Sequence, residues 1–271
     1  MEQEIYLKDS NTLNLNPKPA GFFSDLWTMT GRSIRAMLRE TEYLIPSIII
    51  PLFFFAVNVG SLETVGKAIG TGDFKAFQLP VAIVLAVTGI SRANALVTDI
   101  QSGYFDRLLV SPINRFALLL GLMMADFVLV LSLSILVILM GLILGINFVT
   151  GFGGVLIFLL FSGVWGLAFT GFPYAIALKT GSPAAVSASF LLFFPFSFLT
   201  TAYVPKEYLS GWLKTVAEYN PVTYLLDGLR SLITVGWDSQ KLLFMFLAIS
   251  LVGLISFSLA FGALVGRLKK R

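Results

Sequence analysis

A chain of 271 residues with 56% hydrophobic and only 13% charged side chains carries about half the charge of a soluble domain, near 25%, and is built to lie in lipid. It contains no cysteine and no histidine, which excludes disulfides, thiol nucleophiles, imidazole-ligated metals and histidine acid–base catalysis. The net charge of +4 is small, so the placement of Lys and Arg around the apolar runs says more than their sum.

Residues 1–21 are polar, with Asn14, Asn16, Pro17 and Pro19. They lack the apolar core of a secretory signal and read as a disordered tail. Residues 22–41 then show helical periodicity. Phe23, Leu26, Trp27, Thr30, Ile34, Met37 and Leu38 gather on one face and Arg32, Arg35 and Arg39 on the opposite one. That pattern predicts an amphipathic helix in the membrane interface, either a plain anchor for the first span or also a surface for a partner.

A helix needs about 20 mostly apolar residues to cross the hydrocarbon core. Six segments meet that length: 44–61, 78–98, 117–144, 154–178, 184–203 and 242–266. The fold class expected is therefore an all-α integral membrane protein with six transmembrane helices in one permease domain, residues 22–266, and a basic tail, 267–271. Six crossings put both termini on one side. That side holds ten near-membrane cations: Arg32, Arg35, Arg39, Arg107, Arg115, Lys179, Arg267, Lys269, Lys270 and Arg271. The opposite side holds six: Lys67, Lys75, Lys206, Lys214, Arg230 and Lys241. The bias places both termini in the cytoplasm of a multi-pass protein of the plasma (inner) membrane.

Two charges fall within the predicted spans, Arg92 in the second and Asp126 in the third. Intramembrane charges default to functional hypotheses. Arg92 and Asp126 read either as a structural pair between neighbouring helices or as the coupling groups of an ion-driven carrier. Glycines punctuate the fourth and sixth spans, and Gly262-x-x-x-Gly266 is a weak close-packing pattern. Pro173 and Pro195 fall inside spans, where they predict kinks. The outer loop, 204–241, is too apolar for a solvated linker. It predicts two short helices, 207–218 and 222–235, broken at Asn220-Pro221. They form either a cap on the bundle or part of an exit path.

No nucleotide-binding loop occurs. The nearest stretch, Gly66-Lys67-Ala68-Ile69-Gly70-Thr71-Gly72, lacks the strand and the spacing of a phosphate-binding loop and reads as a connector. Any ATP drive must then come from another chain.

Between the second and third spans lies a charged island, residues 99–116. Its pattern Asp99-x-x-x-Gly103-x-x-x-Arg107-Leu108-Leu109-x-Ser111-Pro112-x-x-Arg115 resembles the cytoplasmic loop of the type-2 ABC exporter permeases. The resemblance runs closest to the daunorubicin-resistance and polysaccharide/lipid exporter branch. A second block, Pro195, Pro205, Trp212, Asn220-Pro221 and Arg230, is similar to that family's fifth-span end and external re-entrant segment, and the amphipathic helix before the first span also fits. The Phe-rich stretch 193–198 departs from the pattern.

The resemblance implies that the island is a coupling helix docking into a separate cytoplasmic ATPase. It further implies that two permeases pair, as a homodimer or with a related permease, among membrane lipids and without nucleic acid. No cofactor belongs to this chain, ATP and Mg being bound by the partner. The cargo implied by the greasy spans is lipophilic or lipid-linked. In the island, Tyr104, Phe105, Leu108 and Leu109 are expected to form an apolar knob. Asp99, Asp106, Arg107 and Arg115 would form its charged rim, with Gly103 as bend and Ser111-Pro112 as stop. An ion-coupled secondary transporter using Arg92 and Asp126 is the alternative. A lipid-modifying enzyme is disfavoured by the missing His and Cys.

Overall fold

The computed structural model describes residues 21–68, 72–89 and 91–269. The tail expected over 1–21 lies outside the described residues but for Gly21, as do residues 69–71 of the connector and the last two residues of the basic tail. The described chain is helical. An amphipathic helix, α1 (Phe22–Arg39), leads into α2 (Thr41–Ala68) and α3 (Phe74–Gly89). Two short helices come next, α4 (Ala93–Gln101) and α5 (Tyr104–Val110), then the long α6 (Arg115–Ile143) and α7 (Gly151–Thr180). The chain continues as α8 (Pro183–Phe198), a 3-10 turn (Lys206–Tyr208), α9 (Gly211–Tyr219), α10 (Pro221–Thr234) and α11 (Ser239–Lys269).

Among the described residues, four segments are long and apolar enough to cross a membrane: Leu44–Thr64, Arg115–Ile143, Gly151–Thr180 and Ser239–Lys269. They coincide with the first, third, fourth and sixth runs of the sequence. The other two runs are shorter as helices than expected. At 1.5 Å per residue, the 16 residues of α3 and of α8 reach about 24 Å, against about 30 Å of hydrocarbon.

The continuous helix predicted over 78–98 is in fact two helices, α3 and α4. The helix restarts at Arg92, whose N–H, released from the α-helical ladder, donates to Asp126 Oδ1 at 3.1 Å. The span predicted to reach residue 203 stops at Phe198, because the carbonyls of Phe196, Leu199, Thr201 and Ala202 turn to side chains from other elements.

Two apolar layers stack along the bundle. One gathers α3, α7, α10 and α11 around Leu79, Phe158, Trp165, Leu229 and Met245. The other gathers α1, α4 and α5 with the adjoining ends of α6, α7 and α11, around Leu96, Phe105, Leu119, Met123 and Leu178.

Close approach between helices rests on a few small residues. A Cβ on Gly121 would meet Met29 Cβ at 2.7 Å and the Leu26 carbonyl at 2.9 Å, so α1 lies directly on α6. A Cβ on Gly171 would sit 2.7 Å from the Ser256 backbone, where the Ser256 hydroxyl donates to the Ala168 carbonyl and seals α7 to α11. Among the described residues, Gly262 and Gly266 have nothing within 4 Å of such a Cβ.

The amphipathic helix has three sides rather than two. Asp25, Met29, Thr30, Ser33 and Met37 face the protein. Phe23, Trp27 and Leu38 are exposed on a second side, and Arg35 and Arg39 lie on a third. The apolar face read from the sequence is thus shared between the bundle and its surroundings.

Candidate functional site

The charged island folds as a helix–turn–helix at the α5 end of the bundle. α4 stops at Ser102-Gly103, where the Ser102 N–H donates to the Thr98 carbonyl at 2.9 Å and the Gly103 N–H to that of Ile100 at 3.1 Å. Gly103 has φ 72° and ψ 4°. This left-handed conformation is one that a side chain with Cβ adopts only at a cost, and it turns the chain into the seven residues of α5.

So short a helix does not hold itself together. Phe105, 0% exposed, and Leu109 anchor it in the apolar layer. The knob expected from Tyr104, Phe105, Leu108 and Leu109 is therefore corrected. Phe105 and Leu109 turn inward, Leu108 packs against the same layer, and the outward face carries Tyr104, Arg107 and Val110, the last 84% exposed. The reason is that α5 lies flat on the bundle and half of each turn must cover apolar side chains.

The Ser111 hydroxyl donates to the Leu108 carbonyl at 2.6 Å, and the helix ends before Ser111-Pro112 as read. Asn114 then caps α6. Its side-chain oxygen accepts from the N–H groups of Phe116 at 3.0 Å and Ala117 at 3.2 Å, as an N-cap should. The Asn114 N–H donates to the buried Asp25 carboxylate at 2.9 Å, which ties α1 to the end of the island. Arg115 is exposed at the start of α6.

The rim is also partly committed within the chain. Asp99 pairs with Arg32 of α1 at 3.0 Å, and the same guanidinium lies over the Tyr104 ring, 4.3 Å from its centroid. Gln101 donates to the Gly181 carbonyl between α7 and α8 at 3.0 Å. Asp106 is half-buried, and Arg107 remains exposed.

Arg92 and Asp126 are brought together, but not as the side-chain pair the sequence suggested. Arg92 is 5% exposed and gives both terminal nitrogens to Glu40, at 2.9 and 3.0 Å. The Asp126 carboxylate accepts the Arg92 backbone N–H and the Thr170 hydroxyl. The break after α3 causes this. It frees a backbone donor for Asp126 and leaves the guanidinium, one residue's length further out, to reach the α1–α2 corner. Glu40, Arg32, Arg92, Asn94, Asp99 and Tyr174 line a cavity of about 310 Å³ beside this corner.

At the opposite end, Asn220 caps α10 by accepting from the Val222 N–H at 3.0 Å, and its amide donates to the Phe196 and Leu199 carbonyls, both at 2.8 Å. Pro221 occupies the first helical position, where its missing N–H costs nothing. Arg230 is buried and donates to the carbonyls of Phe77 (3.1 Å) and Thr201 (2.9 Å) and to the Thr201 hydroxyl (3.1 Å). Its guanidinium stacks 3.5 Å from the Phe77 ring centroid. These bonds form a knot joining α3, the end of α8 and α10. Pro205 starts the 3-10 turn and Trp212 is exposed on α9. Lys206 bridges to Glu218 at 2.8 Å and holds the Glu218 carboxyl below the usual carboxylate range.

The sequence reading missed Glu40, Asp25, Thr170 and Thr201. Their partners lie far along the chain, and no local pattern marks them. Asn114 was readable, since Asn directly before an apolar run is a helix-start signal.

Comparison with known proteins places these features in a family. A family model described as ABC-2 type transporter matches residues 24–234. The chain is 28% identical over 228 residues to the daunorubicin resistance ABC transporter permease protein DrrB1 of Streptomyces coeruleorubidus, covering 82% of this chain and 80% of that protein. It is 27% identical over 220 residues to the putative transport permease ycf38 of Cyanophora paradoxa, covering 78% and 74%. It is 24% identical over 231 residues to the probable doxorubicin resistance ABC transporter permease protein DrrC of Mycobacterium tuberculosis, covering 84% and 83%. With four membrane-length helices among the described residues, all of whose regular elements are helical, and a family match from α1 to the end of α10, the chain is a multi-pass membrane protein and belongs to the ABC-2 type transporter family.

Proposed function

We propose that this chain is the membrane-spanning permease subunit of an ATP-driven exporter, with α5 as the contact for a separate cytoplasmic ATPase. The observation that carries it is the two-sidedness of α5. Phe105 and Leu109 weld it to the bundle, while Tyr104, Arg107 and Val110 are presented outward. A helix rigidly seated from behind and apolar in front suits the transfer of a push, because an apolar centre with a charged rim supplies adhesion and register.

In this reading α2, α3 with α4, α6, α7, α8 and α11 make six crossings. The short α3 is completed by α4, and α8 is completed by the loop knotted to α10. Both termini and α5 face the cytoplasm of the plasma (inner) membrane. ATP and Mg are held by the ATPase, and two permeases pair. The cargo is lipophilic or lipid-linked. Relatives named for daunorubicin and doxorubicin resistance support the drug-like end of that range.

The test is co-purification. Arg107→Ala and Val110→Asp lie on the outward face, so each should insert and fold normally yet retain at least tenfold less ATPase in detergent. Retention equal to the unaltered chain in both variants would refute the contact.

A further inference from the structure

Two helix breaks lie side by side in this fold. Glu40 is the one residue between α1 and α2, and Arg92 is the residue from which α4 starts after α3 ends. The two are joined through both terminal guanidinium nitrogens of Arg92, the bidentate geometry that fixes orientation as well as distance. Arg92 also gives its backbone N–H to Asp126 on α6, and Asp126 accepts from Thr170 on α7. One line of bonds therefore runs from the corner of α1 and α2, through the start of α4, into the body of the bundle.

In the first turns of α2, Leu44 and Ile48 pack against Met37, Ala86, Leu129 and Leu133. Along α2 an apolar groove of about 270 Å³ opens towards α8, lined by Pro46, Ile50, Phe54, Leu85, Phe190 and Phe194. At its other end α4 passes through Gly103 into α5. A rigid α4 pivoting on its Asp126-bound start by ~10° moves its far end by ~2 Å over its ~14 Å length, and the Arg92 side chain turns with it.

We propose that the Glu40–Arg92 pair is the joint that carries displacement of α4 and α5 to α2 and so widens or narrows the groove between α2 and α8. This rests on the reading of α5 as the ATPase contact. An ordinary structural role, in which Glu40 only neutralises a buried arginine, predicts no such directional effect.

The experiment uses the full chain with its ATPase in lipid nanodiscs. Spin labels are placed at the exposed positions Phe53 on α2 and Leu191 on α8. A second pair is placed at Thr98 on α4 and Thr180 on α7, also exposed. Distances are measured without nucleotide and after trapping with Mg-ATP and vanadate. Both pairs should shift in the unaltered complex. In Glu40→Gln the Thr98–Thr180 shift should persist while the Phe53–Leu191 shift falls at least twofold, and Glu40→Asp should restore it. A full Phe53–Leu191 shift in Glu40→Gln overturns the joint. Equal loss of both shifts also overturns it, by showing a structural role alone.

Amide exchange in the permease by itself is the second arm. Residues 41–48 should exchange about tenfold faster in Glu40→Gln, with 115–143 unchanged, and unaltered exchange overturns the joint. Failure of the unaltered chain to retain any ATPase refutes the subunit reading and is separable, because the exchange arm needs no partner.

Discussion

Removing Phe105 tests whether α5 is seated as described. Its side chain is 0% exposed within the layer formed with Leu96, Ile100, Leu118 and Leu178. A buried phenylalanine removes about 200 Å² from water, which at about 25 cal/mol per Å² is roughly 5 kcal/mol as an upper figure. Measured Phe→Ala costs in cores run about 3–5 kcal/mol. With only seven residues and one other deep anchor, Leu109, α5 has little else to keep it docked. A local loss of about 3 kcal/mol raises the undocked population by roughly 100-fold. Phe105→Ala should therefore raise amide exchange over 105–110 by about two orders of magnitude in detergent, with 115–143 little changed. Val110→Asp, an exposed site where substitutions usually stay within about 0.5 kcal/mol, should leave exchange over 105–110 as it was while weakening ATPase retention. If Phe105→Ala alters exchange by less than about threefold, the inward anchoring of α5 is wrong.

Gly103→Ala should lower the melting temperature of the purified chain through backbone strain of about 1–2 kcal/mol, because nothing lies near the new Cβ. Gly103→Asn should be milder, and equal melting of the alanine variant and the unaltered chain would remove the strain argument. Arg230→Met leaves the Phe77 and Thr201 carbonyls without their donor; each buried unsatisfied group costs about 1–3 kcal/mol. Thermal unfolding in detergent should fall steeply, and a change under about 1 kcal/mol would contradict the knot. The bridge from Lys206 to Glu218 should weaken in acid. Because the Glu218 carboxyl is held low by Lys206, its contribution is present above the ordinary carboxylate value and is lost as pH falls through the lowered one. Amide protection at Tyr208 and Leu209, whose N–H groups close the 3-10 turn, should hold from pH 7 to pH 5 and drop only in stronger acid. A drop between pH 7 and pH 6 would show that another group controls the turn.

Much of the architecture was legible because membrane segments are written in runs. The helices at Arg115–Ile143, Gly151–Thr180 and Ser239–Lys269 match the apolar stretches to within three residues at each end, since length and composition alone set them. The stop of α5 before Ser111-Pro112 and the break at Asn220-Pro221 were equally local, being consequences of what proline does to the preceding backbone.

What the runs did not disclose were the places where backbone and side chains bond across the bundle. The stretch 78–98 is apolar but for a few residues around Arg92, and nothing in it tells that the helix breaks there, that the freed Arg92 N–H meets Asp126, 34 positions away, or that its side chain meets Glu40, 52 positions away. Phe105 and Val110 are both apolar residues of one short helix, and only packing tells that the first is a buried anchor and the second stands exposed. Linear order records which groups must be satisfied in lipid. Which partner satisfies each depends on helix faces meeting in space, and that is settled only when the bundle closes.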